Sequence, residues 1–265
     1  MNEVLEGRIL NAEPSPPDPK DIPFLGNTAR GLPAAVLRPS FRHSGKDWPV
    51  LDQGKTGTCG GQAGIGLRQW QELRDTHDLP KIKKFSAFAL YDLCLKHDGT
   101  PDPNHERMIG TFASTVMTVL RDKGTPLSSR TGAFAGKLAS FEVIKGNDLS
   151  ADVVKEAIKT WGVTLVRLDW DKAWTETNLR PGRILPDPTG EVGGHIFVLF
   201  GWDDDVNGGS FLMRNTWGKW APKPGPSPTA KQAGPGNAYM KYDFFLDRAR
   251  KAEVWVSVDV LKGPV

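Results

Sequence analysis

The chain has 265 residues, with 34 basic and 31 acidic side chains giving a formal net charge of +3. That length supports a sizeable core, while the charge balance is too slight for the basic face that a nucleic-acid partner requires. Two cysteines exclude a disulfide framework, no run approaches the roughly 18 apolar residues of a membrane span, and 29 glycines with 21 prolines argue against an all-helical bundle.

In chain order, residues 1–31 read as an extended N-terminal arm. Ser15-Pro16-Pro17-Asp18-Pro19 forbids a long helix, and the few apolar residues are available only to pack against a domain that follows, residues 32–265. Met1 to Glu6 carries neither a basic stretch nor an apolar one, so no secretory signal is read there and a cytoplasmic location is expected. From Gly57 to about Thr76, Ala63, Leu67, Trp70 and Leu73 recur at helical spacing, with Thr58 as N-cap. Gly60, Gly61, Gly64 and Gly66 weaken that helix by up to about 1 kcal/mol each relative to alanine, so it needs close tertiary packing and is expected at the centre of the molecule. Further helices are predicted over 86–95, 111–122 and 151–161, the last capped by Ser150 and stopped by Gly162. Strands follow over 163–168, 195–202, 210–214, 238–242 and 253–258, the second and third joined by the hairpin sequence Asp203 to Gly209. Helices before strands predict an α+β fold of two lobes, helical over about 50–140 and β-rich over about 141–265.

Cys59 stands at the predicted start of the first helix, where unpaired N–H groups and the helix dipole favour a thiolate. A thiol nucleophile needs a base, and His195 heads a predicted strand. The hairpin makes strands 195–202 and 210–215 antiparallel, so His195 and Asn215 fall at one edge of the sheet. There the Asn215 carbonyl can orient the imidazole. Gln53, separated from Cys59 by the turn Gly54 to Thr58, is placed to donate to a developing oxyanion beside the Cys59 N–H.

These blocks resemble papain-like cysteine peptidases. Asp52-Gln53-Gly54-Lys55-Thr56-Gly57-Thr58-Cys59 is similar to their Q-G-x-x-G-S/T-C segment. Gly193 to Asp203 is similar to G-G-H-A…G-Y-D, and Arg214-Asn215-Thr216-Trp217-Gly218 to R-N-S-W-G. Leu32 to Pro39 resembles the entry to the mature domain. His195 and Asn215 follow Cys59 by 136 and 156 residues (195 − 59 and 215 − 59), near the family's roughly 130–150. The resemblance implies a helical lobe and an antiparallel, barrel-like β lobe with a cleft between them. It implies peptide hydrolysis through a Cys59 thioester, with His195 as acid and base, Asn215 as its orienter and Gln53 in the oxyanion hole. Trp217 would shield the His–Asn pair, and Gly110 and Gly194 would meet the substrate. No cofactor is implied, the partner is a peptide or protein substrate, and a monomer is expected. The chain departs from the pattern at Gly60, where the family has an aromatic, and at Thr56, where many members have a disulfide cysteine.

Two other readings use the same residues: a catalytically inactive papain-fold module that binds a peptide or partner protein, and an amidase or isopeptidase with the same triad. Cys94 reads as a packed core thiol; Cys94, His97 and His105 lack a fourth ligand at zinc spacing. Asp203 to Gly208 begins like a calcium loop, but Arg214 occupies the twelfth position, where a bidentate glutamate is needed. A hairpin turn is expected there instead.

Overall fold

The computed structural model describes residues 4–258 except 6, 101, 103, 105, 129–131, 176–177, 221–232 and 249–250. In chain order the elements are β1 (Val4–Leu5), β2 (Arg8–Ile9), β3 (Ser40–Arg42), α1 (Cys59–Thr76), α2 (Leu79–Ile82), α3 (Ala87–Asp98), α4 (Ala113–Asp122), β4 (Thr125–Pro126), β5 (Phe134–Ala135), β6 (Ser140–Lys145), α5 (Ala151–Trp161), β7 (Thr164–Asp171), β8 (Glu191–Asp203), β9 (Ser210–Arg214), β10 (Asn237–Lys241), α6 (Tyr242–Leu246) and β11 (Glu253–Val258).

One antiparallel sheet organises the molecule, in the order β10-β9-β8-β7-β11-β6, with β3 added to the far end of β8. Its strands are covered on both faces, and side-chain alternation sorts them into two cores. Val166, Leu168 and Trp170 of β7 join Phe197 and Leu199 of β8 and the apolar face of α5 in one core. Leu165, Ile196, Val198 and Phe200 point the other way and pack with Cys59, Ile65 and Leu67 of α1, and with Val116 and Leu120 of α4, in the second. The fold is thus α+β, with α1, α3 and α4 against one face and α5 against the other. Among the described residues no helix is long and apolar enough to cross a membrane.

The central helix forms despite its glycines because neighbours fill the space a side chain would need. A Cβ at Gly61 would lie 2.4 Å from the Ala87 carbonyl oxygen, and one at Gly64 would lie 2.6 Å from a Val116 methyl. Thr58 precedes the helix, but its hydroxyl meets Thr56 Oγ1 at 2.8 Å instead of capping a backbone N–H. Ser86 and Ser150 do cap α3 and α5, accepting from the Ala89 and Val153 amides. Asp203 to Gly209 is the expected hairpin turn, with Asn207, Gly208 and Gly209 all at positive φ. The prediction omits β1 to β6, α2 and α6, and the strands that precede α5 break the simple order of helices before strands.

Candidate active site

The turn before α1 is laced to the end of β9. Gln53 N–H donates to the Thr216 carbonyl at 2.7 Å and Gly218 N–H to the Leu51 carbonyl at 2.9 Å. This brings the Gln53 amide against Trp217. Its Oε1 accepts from Thr216 Oγ1 at 2.7 Å and Trp217 Nε1 at 3.1 Å, which leaves Nε2 as the donor facing away, toward Thr56 O at 2.6 Å and Ile9 O at 3.3 Å.

The β8–β9 pairing places His195 and Asn215 at one sheet edge, as the hairpin argument predicts. His195 Nε2 lies 2.7 Å from Asn215 Oδ1. The same oxygen accepts the Thr216 N–H at 2.7 Å, so it is an acceptor and the imidazole must donate from Nε2. Nδ1 is therefore the basic nitrogen, and it has no hydrogen-bond partner among the described residues. Trp217 lies 5.2 Å from the ring and Trp170 4.8 Å. Desolvation in this aromatic setting lowers the His195 pKa to about 4, opposed by the Asn215 hydrogen bond.

Cys59 is fully buried at the first turn of α1. Burial pushes its thiol up to about 11, although the amides of Ile196, of Gly60 and of Cys59 itself, and the charge of Arg167, all favour the thiolate. The helix-start effect is thus present, but desolvation outweighs it, contrary to the low pKa expected from the sequence. The sulfur lies at the amide next to His195, yet thiol and imidazole are not hydrogen-bonded. Gly60 leaves no room for the family's aromatic, since a Cβ there would lie 2.6 Å from a Thr111 methyl carbon.

Residues 8–12 lie along these side chains. Arg8 stacks on Trp217 at 5.0 Å, Ile9 presents its carbonyl to Gln53, and Ala12 N–H donates to Gly194 O at 3.1 Å. A Cβ on Gly110 would fall 1.9 Å from Asn11 O, and one on Gly194 1.7 Å from Ala12 O. Both glycines therefore press against arm backbone. Ile9, Leu10 and Ala12 are buried. Beyond them the arm continues through Ser15, held by Glu253, to Phe24, whose N–H donates to Val143 O in β6.

The sequence reading missed Arg167 and Asp169, which lie in the cleft wall with Glu191 and Lys251 around a hollow of about 290 Å³. Three charges at alternate positions of one strand, Arg167, Asp169 and Asp171, in phase with inward-facing Leu165, are the available signal. Cys94 is a buried core thiol, as expected. No group of three or more metal-ligating side chains occurs among the described residues; His105 and most of the Pro222–Gly236 loop lie outside them.

No family model and no curated protein sequence matches the chain. Solved structures do. Xylellain, a cysteine protease from Xylella fastidiosa, is 18% identical over 98% of this chain and 99% of its own, with a TM-score of 0.68. Digestive procathepsin L2 proteinase from Tenebrio molitor larval midgut is 17% identical over 96% of this chain and 78% of its own, at 0.65. The Amb a 11 cysteine protease, a ragweed pollen allergen in its proform, is 13% identical over 85% of this chain and 68% of its own, at 0.58. The fold is therefore the two-lobe fold of papain-like cysteine proteases.

Proposed function

We propose that this chain is a papain-like cysteine peptidase whose cleft is closed by its own arm. The reading rests above all on the buried His195–Asn215 pair, covered by Trp217 and tied through that indole to Gln53, beside a cysteine at a helix start. When substrate replaces the arm, the Cys59 proton passes to His195 Nδ1 and the thiolate attacks the peptide carbonyl carbon. Negative charge develops on the carbonyl oxygen, where Gln53 Nε2 and the Cys59 N–H donate to it. The C–N bond then breaks and the leaving amine takes the proton from His195. Water attacks the thioester, giving a proton to Nδ1; the C–S bond breaks, the acid product leaves, and Cys59 takes the proton back from Nδ1. Asn215 holds the Nε2 proton throughout, so only Nδ1 gains and loses one.

Residues 1–31 are on this reading an arm distinct from the domain 32–265. The Ile9 carbonyl already occupies the Gln53 donor that an oxyanion would use. Two of the similar structures are proenzymes by their own descriptions, which supports reading the arm as a closing segment.

The test is hydrolysis of a broad peptide library by wild type and Cys59→Ala. Removing the nucleophile is expected to reduce the rate by at least about 10³-fold; equal rates would sink the proposal. One observation favours a second reading, a non-catalytic module: the arm lies against the site and Nδ1 meets no thiol. In that case neither protein hydrolyses any peptide, and the arm's place is taken by a ligand that stays intact. An amidase or isopeptidase would instead cleave side-chain amides and spare main-chain ones.

A further inference from the structure

Arg167 is an almost fully buried guanidinium in the middle of β7. Two of its three nitrogens are satisfied within the β-rich part of the molecule. Nη1 donates to Lys251 O at 2.9 Å, and Nη2 meets Asp169 Oδ1 at 2.6 Å. The third, Nε, donates to the Ala12 carbonyl at 2.9 Å, and Ala12 belongs to the arm. The same residue gives its N–H to Gly194 O, so Ala12 is held by both of its main-chain polar groups. Gly194 makes this approach possible: a Cβ there would collide with Ala12 O and lie 2.6 Å from Arg167 Nη2.

Neither contact reads a side chain, so any extended peptide can satisfy them. If the arm leaves with nothing in its place, Nε loses its protein acceptor, a loss that water or an incoming peptide must make good. The neighbouring carboxylates do not relieve it, because Asp169 already takes Nη2 and Lys251 Nζ.

Building on the peptidase reading, we propose that Arg167 Nε is the main-chain clamp of this cleft, for which arm and substrate compete. With the arm bound it holds Ala12; with the arm displaced it holds a carbonyl of an extended peptide substrate, paired with Gly194 O on the adjoining N–H. Arg167 is a positioning residue and touches no reacting atom.

The test compares two reagents on Cys59 in the full-length protein. Iodoacetamide needs only access to the thiol, whereas a peptidyl chloromethyl ketone must also dock its main chain. The variants are Arg167→Lys, which keeps the charge and the Asp169 partner but lacks Nε, and Arg167→Gln/Asp169→Asn, which removes both charges together. Thermal melting checks that each is folded; Arg167→Lys decides the matter if the double variant is not. Loss of a charge-assisted hydrogen bond is expected to speed iodoacetamide labelling about tenfold, by loosening the arm, and to reduce the ratio of peptidyl to iodoacetamide rates about tenfold. Changes in thiol acidity alter both rates together and cancel in the ratio. An unchanged ratio in a folded variant overturns the substrate half of the clamp, and an unchanged iodoacetamide rate overturns the arm half. Both readouts are independent of turnover. If wild type hydrolyses no peptide, the peptidase reading fails while the labelling still judges the clamp.

Discussion

Cys59 and His195 meet across the amide of Ile196, and burial keeps both neutral. An imidazole held near 4 and a thiol held near 11 form no ion pair at neutral pH, which suits a site that is closed. His43 is shifted the same way, to about 4, by burial between Phe41 and Trp70, with its Nε2 on Ile158 O at 2.7 Å. Both shifts have consequences for stability. Between pH 6.5 and about 4 the unfolded chain takes up protons at these histidines that the folded chain refuses. Stability is therefore full above 6.5 and falls as pH drops toward 4, by on the order of 3 kcal/mol per histidine. Urea unfolding at steps from pH 7 to 4.5 should show the midpoint falling across that window. His43→Gln, which can still donate to Ile158 O, should flatten the slope. A midpoint that stays level from 6.5 to 4.5 would show that these rings do not stay neutral in the fold.

At the scale of elements, α1 offers a comparison within one helix. Among the described residues, and apart from the helix's own backbone, Gly66 has nothing within 4 Å of where a Cβ would sit, whereas Gly61 faces the Ala87 carbonyl oxygen at 2.4 Å. Gly66→Ala should thus gain up to about 1 kcal/mol of helix propensity. Gly61→Ala should lose about 1–3 kcal/mol, because backbone must move to admit the methyl. Chemical denaturation of the two variants checks this, and changes of the same sign would show that α1 is not packed as described. The glycines also mark how far the sequence was legible. Helix α5 is plain in sequence because its cap, apolar face and stop are all local. The His195–Asn215 pairing follows from one hairpin, whose turn residues are also local. The contents of the cleft are not legible in this way. Ile9 to Ala12 look like scattered apolar residues until β7, β8 and the 108–110 segment are assembled around them, and the role of Arg167 depends on a partner 155 positions away. Strand β6 was missed for the same reason: Ser140 to Lys145 has a short mixed pattern that becomes a strand only by pairing with β11.

Over the whole molecule, the arm spans the two cores that the sheet separates. Leu10 belongs to the core that contains α5, and Ala12 to the one that contains α1. If the arm closes the cleft, it must be able to open without unfolding what lies beneath it. Sub-global opening of this kind has its own free energy, smaller than that of global unfolding. Leu10→Ala removes about 2–5 kcal/mol of packing, and in this arrangement the loss falls mainly on docking of the arm. Trypsin cleavage after Arg8, whose guanidinium stacks on Trp217, reports that opening under native conditions. The variant should be cut about 10- to 100-fold faster than wild type. Val154→Ala supplies the control: it removes methyls from the same core on α5, a different element, and lowers global stability without freeing the arm. Cleavage after Arg8 should then stay near the wild-type rate. Equal acceleration by both variants would mean that the arm leaves only when the whole fold does, and a segment bound that way could not serve as a removable cover for Cys59.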